Sequence, residues 1–297
     1  MTAEPARLDG WLVIDKPAGM SSARVVAIVK RATGAARAGH GGTLDPLATG
    51  VLPVALGEAT KTVRFAMTGT KTYHFTVRFG EARSTDDAEG EVTETSPLRP
   101  GGAAIEAALP AFVGDILQVP PAFSALKVKG ERAYKAAREG RPPALAPRPA
   151  RIDRLTLVIA SDDEVTLEVV CGKGVYVRAL ARDLARALGT VGYVSRLRRT
   201  AVGPFGEAQA ISLESLEALV HSAALVRHLF PVETVLADIP ALVLTADEAD
   251  RLKHGQAIEA ASPAAEARLV RARSDDRLIA LAELAAGHLK PVRVFNL

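Results

Sequence analysis

One carboxylate in this chain, Asp45, stands in a setting suited to chemistry on a bulky substrate. Between Arg37 and Leu52 lie four glycines, one histidine, one aspartate and one proline, centred on Gly39-His40-Gly41-Gly42-Thr43-Leu44-Asp45-Pro46. The glycines permit positive φ and let a ligand approach the backbone closely. Pro46 confines Asp45 to extended or turn conformations, so the carboxylate sits on a stiff turn and not within a helix. A carboxylate there can act as nucleophile or as base. On local chemistry alone an Asp-Pro pair is more often an ordinary turn former that spends its oxygens on nearby N–H groups. Other groups with chemical potential are spread along the chain: Tyr73, Asp87, and Arg178, Arg182 and Arg186, which recur every four residues and share one helix face. By spacing alone Tyr73 is better suited to a core than to a site, and Asp87 as suited to a loop cap as to function. A single cysteine, Cys171, excludes an intramolecular disulfide and a multi-cysteine zinc site, and it fits a reducing cytoplasm. The six histidines are scattered without metal-ligand spacing, so no metal is expected.

The elements that must hold these groups are legible in outline. Trp11 to Asp15 reads as a short strand, and Ser21 or Ser22 can cap a helix with Val25, Val26, Ile28 and Val29 on its apolar face, ending near Gly34. Gly57 to Lys61 leads into a second helix. Lys71 to Phe79 alternates, with Tyr73, Phe75, Val77 and Phe79 on one face and His74, Thr76 and Arg78 on the other. Gly80 to Gly90 is a polar loop. A short helical piece is predicted around Ala133–Arg138, and residues 152–159 and 164–171 form two antiparallel strands turning at Ser161-Asp162-Asp163. Cys171-Gly172-Lys173-Gly174 opens a helix that Gly189 stops, but it lacks the spacing of a phosphate-binding P-loop. Beyond Asp238, Thr245 and Glu248 form a capping box, and strands follow near 267–273, 278–284 and 292–295.

With 297 residues the chain holds a large and a small domain, and no apolar run approaches a membrane span. The net charge is only +3, yet it is strongly segregated. Residues 16–43 carry five cations and no acid, while residues 120–154 and 172–200 each carry a net +6, leaving −14 for the remainder. Such segregation marks a surface that meets a polyanion, although solvated helix faces also run basic.

Taken together, Gly-His-x-Gly-Thr-Leu-Asp-Pro-x-Ala-x-Gly-x-Leu resembles the segment around the catalytic aspartate of the TruB family, the tRNA pseudouridine-55 synthases. Gly41 departs from it, since the family often carries threonine there. Asp15-Lys16-Pro17-Ala18-Gly19-Met20-Ser21-Ser22 is similar to the family's entry segment, Lys71-Thr72-Tyr73 to its Lys-x-Tyr, and Thr85 and Asp87 match its polar loop, with Arg83 where a threonine is usual. Pro120 to Lys135 resembles its proline-bounded insertion, Gly174-Val175-Tyr176-Val177-Arg178 its Gly-x-Tyr-x-Arg, and Leu197-Arg198-Arg199 its Leu-Arg-Arg strand.

The resemblance implies an α+β fold: a catalytic domain over residues 1–238 with a central mixed or antiparallel sheet flanked by helices, and a small PUA-like β-barrel over 239–297. An insertion at about 120–150 would close over RNA. It implies Asp45, Tyr73 and Arg178 as catalytic residues, Arg178 orienting Asp45 and Tyr73 stacking on the extruded base. Leu197 would complete the sandwich around the base, His40 would fill the space it leaves, and Tyr176, Lys16 and Lys127 would bind substrate. The partner would be the T stem-loop of tRNA, met by a monomer in the cytoplasm away from membranes. The isomerisation is redox-neutral and loses no atoms, so no cofactor is expected. Two rival readings stay open, a non-catalytic RNA-binding or RNA-folding protein and a synthase acting on other RNA.

Overall fold

The computed structural model describes residues 8–124, 126–128, 130–220, 222–259 and 268–297. Strand β1 (Gly10–Lys16) leads into α1 (Ser22–Thr33), β2 (Ala38–His40) and β3 (Thr49–Leu56); a 3-10 turn then continues into α2 (Val63–Thr68). Next come β4 (Lys71–Phe79), the hairpin β5 (Glu81–Arg83) and β6 (Val92–Thr95), α3 (Gly102–Ala108) and β7 (Gly114–Gln118). A small hairpin, β8 (Lys127–Val128) and β9 (Glu131–Arg132), precedes α4 (Ala133–Arg138), followed by β10 (Arg148–Ala160), β11 (Glu164–Cys171), α5 (Val177–Ala187), β12 (Gly192–Val202), β13 (Phe205–Gly206) and α6 (Leu213–Leu219). The chain ends with β14 (Ala241–Val243), α7 (Ala246–Lys253), β15 (Ile258–Glu259), β16 (Arg268–Ser274), β17 (Arg277–Ala285) and β18 (His288–Val294). The predicted strand near 267–273 is thus seen from Arg268; Ala267 lies outside the described residues. The polar segment after Gly80 differs from a plain loop, since its two arms pair as β5 and β6.

The central sheet has nine strands in the order β1-β3-β12-β4-β11-β10-β7, with β2 on β3 and β13 on β12. Only β3 and β12 pair in parallel, so the sheet is mixed. Period-two alternation decides which side chains go to which face. In β1, Leu12 and Ile14 enter a core that also holds Val25 and Val29 of α1, Phe75, Val77 and Phe79 of β4, and Leu180 and Leu184 of α5. Trp11 and Val13 point the other way, into a second core. Helix α1 follows its cap logic: the Ser21 hydroxyl accepts from the Arg24 N–H, and Gly34 ends the helix in the left-handed region at φ 65°.

Residues beyond Pro240 form a second, five-stranded sheet in the order β14-β16-β17-β18-β15. Its end strands do not pair with each other among the described residues, where the sheet curls into a half-barrel consistent with a PUA-like unit. Ala272, Ala280, Leu284 and Leu289 fill its inside together with α7, which starts at the predicted Thr245/Glu248 capping box. Its outer apolar residues Leu278, Leu281 and Phe295 join Trp11, Val51 and Phe205 in the second core, covering the back of the central sheet. A buried carboxylate reinforces that contact: Glu58 bonds Arg37, Lys61 and the backbone N–H of Asn296.

Candidate active site

The segment carrying Asp45 is tied down residue by residue. Arg199, fully buried on β12, donates from Nε to the Val51 carbonyl (2.8 Å), from Nη1 to that of Thr43 (3.2 Å) and from Nη2 to that of Gly42 (3.0 Å). The Ser22 hydroxyl holds the residue before the aspartate at both ends, donating to the Leu44 carbonyl at 3.0 Å and accepting its N–H at 2.8 Å. Lys16 and the Gly19 N–H both donate to the Pro46 carbonyl. Gly50 explains how the loop can enter β3: at φ 98° it lets the backbone of Arg199 approach so closely that a Cβ would lie 2.2 Å from the Arg199 carbonyl oxygen. The aspartate therefore stands on a loop whose carbonyls are fixed by buried cations, the preorganisation that a reacting carboxylate needs.

Its partner arrives from α5. Arg178 Nε lies 2.9 Å from Asp45 Oδ2, and Nη1 lies 3.4 Å from Asp87 Oδ2. Nη1 also donates to the Thr85 carbonyl and Nη2 to that of Phe123, each at 2.9 Å. Asp87 is buried and does two jobs, since Oδ1 also accepts the Glu89 N–H and caps its own turn. Arg178 is held at the head of its helix because Gln118 accepts the N–H of the N-cap residue Tyr176 (2.8 Å). The planar guanidinium reaches four acceptors at once, which an ammonium cannot reproduce.

Asp45 and Arg178 stand at the edge of a cavity of about 280 Å³ walled by Lys71, Tyr73, Tyr176, Leu197, Arg199 and the Gly172–Val177 backbone. Tyr73 and Leu197 come from neighbouring strands: Leu197 pairs with Phe75, two residues along β4 from Tyr73. Burial raises the Tyr73 phenol and, more simply, the Tyr176 phenol above the usual range, so both stay protonated near neutral pH. A second cavity, about 630 Å³, shares Thr43, Leu44, Asp45, Ser124 and Arg178 with the first and continues past His40, Glu89 and Tyr134. A carboxylate thus sits between a deep slot and an outer trough. The arrangement can take a planar group into the slot with its attached chain lying in the trough.

Three family models match in succession: a TruB family pseudouridylate synthase N-terminal domain over residues 30–177, a tRNA pseudouridylate synthase B C-terminal domain over 178–237, and a pseudouridine synthase II TruB C-terminal unit over 240–295. The tRNA pseudouridine synthase B of Gluconacetobacter diazotrophicus is 57% identical over 97% of both chains. That of Caulobacter vibrioides is 53% identical over 98% of this chain and 97% of its own. The chain belongs to the TruB family of pseudouridine synthases. It is therefore an isomerase. Among solved structures, an H/ACA RNP bound to a substrate RNA containing 2′-deoxyuridine shares the fold, with TM-score 0.75 at 23% identity over 97% of this chain and 85% of that one. A Cbf5-Nop10-Gar1 complex is similar at TM-score 0.70 and 26% identity, over 96% and 83%.

In this TruB-family chain the structure gathers Asp45, Tyr73, Tyr176, Arg178 and Leu197 around one cavity. His40 is separate: it lines the outer trough, and burial with the nearby Arg199 charge lowers its pKa. Lys16 corrects the expectation of a substrate-facing cation. It is fully buried, and its ammonium is spent on the carbonyls of Pro17, Met20 and Pro46. Lys127 has its backbone in β8, and its side chain lies outside what the structure describes. The basic windows are also redistributed. Of the seven cations in 172–200, Arg178, Arg182, Arg186, Arg196 and Arg198 pair with acids and Arg199 with carbonyls, which leaves Lys173. Arg24, Lys30 and Arg31 on α1 remain exposed with no acidic partner among the described residues. Sequence reasoning missed Ser22 and Arg199 as anchors. The available signal was an arginine two residues from Leu197 on an alternating strand, hence on the same inward face.

Proposed function

We propose that this chain converts uridine 55 in the T loop of tRNA to pseudouridine. The Asp45–Arg178 pair at the edge of a slot walled by Tyr73, Tyr176 and Leu197 carries the reading. The target nucleotide is flipped out of the loop, and its base enters between Tyr73 and Leu197. The N1–C1′ bond breaks, the uracil turns, and C5 bonds to C1′; C5 loses a proton to solvent and N1 gains one, so the atoms balance without any added reactant. Asp45 serves either as nucleophile or as base in this exchange. The fixed loop and the four-acceptor guanidinium keep its carboxylate aimed at the sugar–base linkage. Tyr73, protonated and packed on one side, supplies a stacking surface.

A tRNA substrate is supported by the relatives, which are tRNA pseudouridine synthases, and unpaired loop bases are the usual targets of specific RNA readers. The exposed α1 cations and the half-barrel over residues 239–297 would cradle the stem. One copy supplies every group named, so a monomer suffices. The test is to map pseudouridine in an unmodified tRNA transcript after incubation with the protein and with Asp45→Asn. Modification confined to position 55, lost in the variant with tRNA binding retained, is expected. Binding without conversion by the wild type would instead establish an RNA-binding protein, and conversion elsewhere a different substrate.

A further inference from the structure

We propose that Lys71 reads the C4 carbonyl of the flipped uracil and so separates uridine from cytidine. The inference rests on the pseudouridine-synthase reading of the cavity and adds to it a residue that selects the base.

Lys71 opens β4, two residues before Tyr73, so both side chains leave the same face of the strand. Both line the slot. Lys71 is opposite Val202 on β12, Tyr73 opposite Arg199, and Leu197 opposite Phe75, so Lys71 and Leu197 flank Tyr73 on opposite sides. Strand β3 runs parallel to β12 with Thr49 beside Arg198, and the loop bearing Asp45 enters β3 from the Leu197 end. A base whose glycosidic N1 faces Asp45 points its C4, across the ring, towards Lys71.

Lys71 as a residue is 7% exposed, and its ammonium is incompletely partnered. Two of its three N–H groups go to the carbonyls of Met67 and Gly69, each at 2.5 Å, and the third has no acceptor among the described residues. Neighbouring groups do not compete for it. Burial pushes the Cys171 thiol up to about 12, so it offers no anion, and Arg199 is occupied with loop carbonyls. Burial also brings Lys71 down to about 8, which leaves it charged at neutral pH. A buried cation at the wall of a cavity with a donor to spare is best met by an acceptor there. Uracil O4 supplies one. The cytosine N4 amino group presents donors to a donor and leaves both unmatched, which is the arrangement that gives strong discrimination.

The experiment uses tRNA transcripts with uridine, 4-thiouridine or 2-thiouridine at the target, because sulfur is a weak acceptor. Wild-type single-turnover conversion is expected to fall roughly ten- to a hundredfold on 4-thiouridine and little on 2-thiouridine, the range for a hydrogen bond to a charged group. Lys71→Met, checked for folding by thermal melting, should slow on uridine by a similar factor and treat uridine and 4-thiouridine alike. A wild type indifferent to 4-thiouridine, or equally sensitive to both sulfurs, overturns the proposal even should the variant fail to fold. So does a folded variant that keeps the 4-thio penalty, since Lys71 would then only cap α2. Failure of the wild type on plain uridine would overturn the functional reading itself.

Discussion

Replacing Arg178 with glutamine should separate what this arginine does for the fold from what it does for the reaction. Its side chain is 6% exposed and serves two carboxylates in unequal settings: Asp45 is 38% exposed, Asp87 only 3%. Without the guanidinium, Asp45 can recover solvent but Asp87 cannot. The stability loss therefore comes from Asp87, and an uncompensated buried charge costs about 3–5 kcal/mol. That is a large part of the 5–15 kcal/mol typical of a folded domain. Removing the stranded charge as well, in Arg178→Gln/Asp87→Asn, should return most of the loss, because an amide oxygen can still accept the Glu89 N–H that Asp87 now caps. Turnover should not return. Asp45 would still lack the donor that fixes its oxygen, and misplacement of a reacting group by about 1 Å costs roughly a hundredfold. Urea denaturation of the wild type, both single variants and the double variant gives the stability cycle, and single-turnover conversion at saturating tRNA gives the chemical one. Recovery of turnover to within tenfold of wild type in the double variant would refute a direct role for the Asp45–Arg178 pair. An Arg178→Gln protein as stable as wild type would refute the buried-charge argument.

Tyr73→Phe should bind tRNA nearly as well as wild type, whereas Tyr73→Ala should lose about 1–3 kcal/mol of stacking; a Tyr73→Ala protein that melts earlier but turns over normally per folded molecule would make the ring a core aromatic only. Replacing Arg24, Lys30 and Arg31 with glutamine should flatten the slope of log K against log salt by about 2–3 if all three meet phosphates, with the single-turnover rate at saturation kept. An unchanged slope in filter binding would leave α1 a solvated face. Lys16 gives a pH prediction whose sign is fixed by its burial: the folded pKa is lowered to about 8, below the roughly 10.4 of an unfolded lysine. Between pH 8 and 10 the unfolded chain then binds more protons, so the wild type should gain stability with rising pH relative to Lys16→Met. Equal changes in urea midpoint at pH 7.5 and 9.5 for both proteins would contradict it.

Much of the local structure was settled by the chain itself. The Gly/Pro content of the Asp45 segment dictated a stiff turn, the alternation of Lys71–Phe79 dictated a strand, and Ser21, Gly34 and the Thr245/Glu248 pair marked helix ends that the structure shows. These are consequences of backbone sterics and of periods of 2 and 3.6, which act over a few residues. The motifs around Asp45, Tyr73 and Arg178 likewise made the pseudouridine-synthase family legible. Tertiary structure alone decided how the charges were spent. Lys16 and Lys173 look alike in sequence, yet one is buried on three carbonyls and the other exposed. Arg198 turns outward to Asp15 and Glu207 while Arg199 turns inward to the loop that carries Asp45, and that difference depends on where β12 sits. Insertion of β12 between β3 and β4 brings Arg199 to the loop and Leu197 beside Tyr73. The partner of a charge is set by the register of strands distant in the chain, and no local pattern encodes that register.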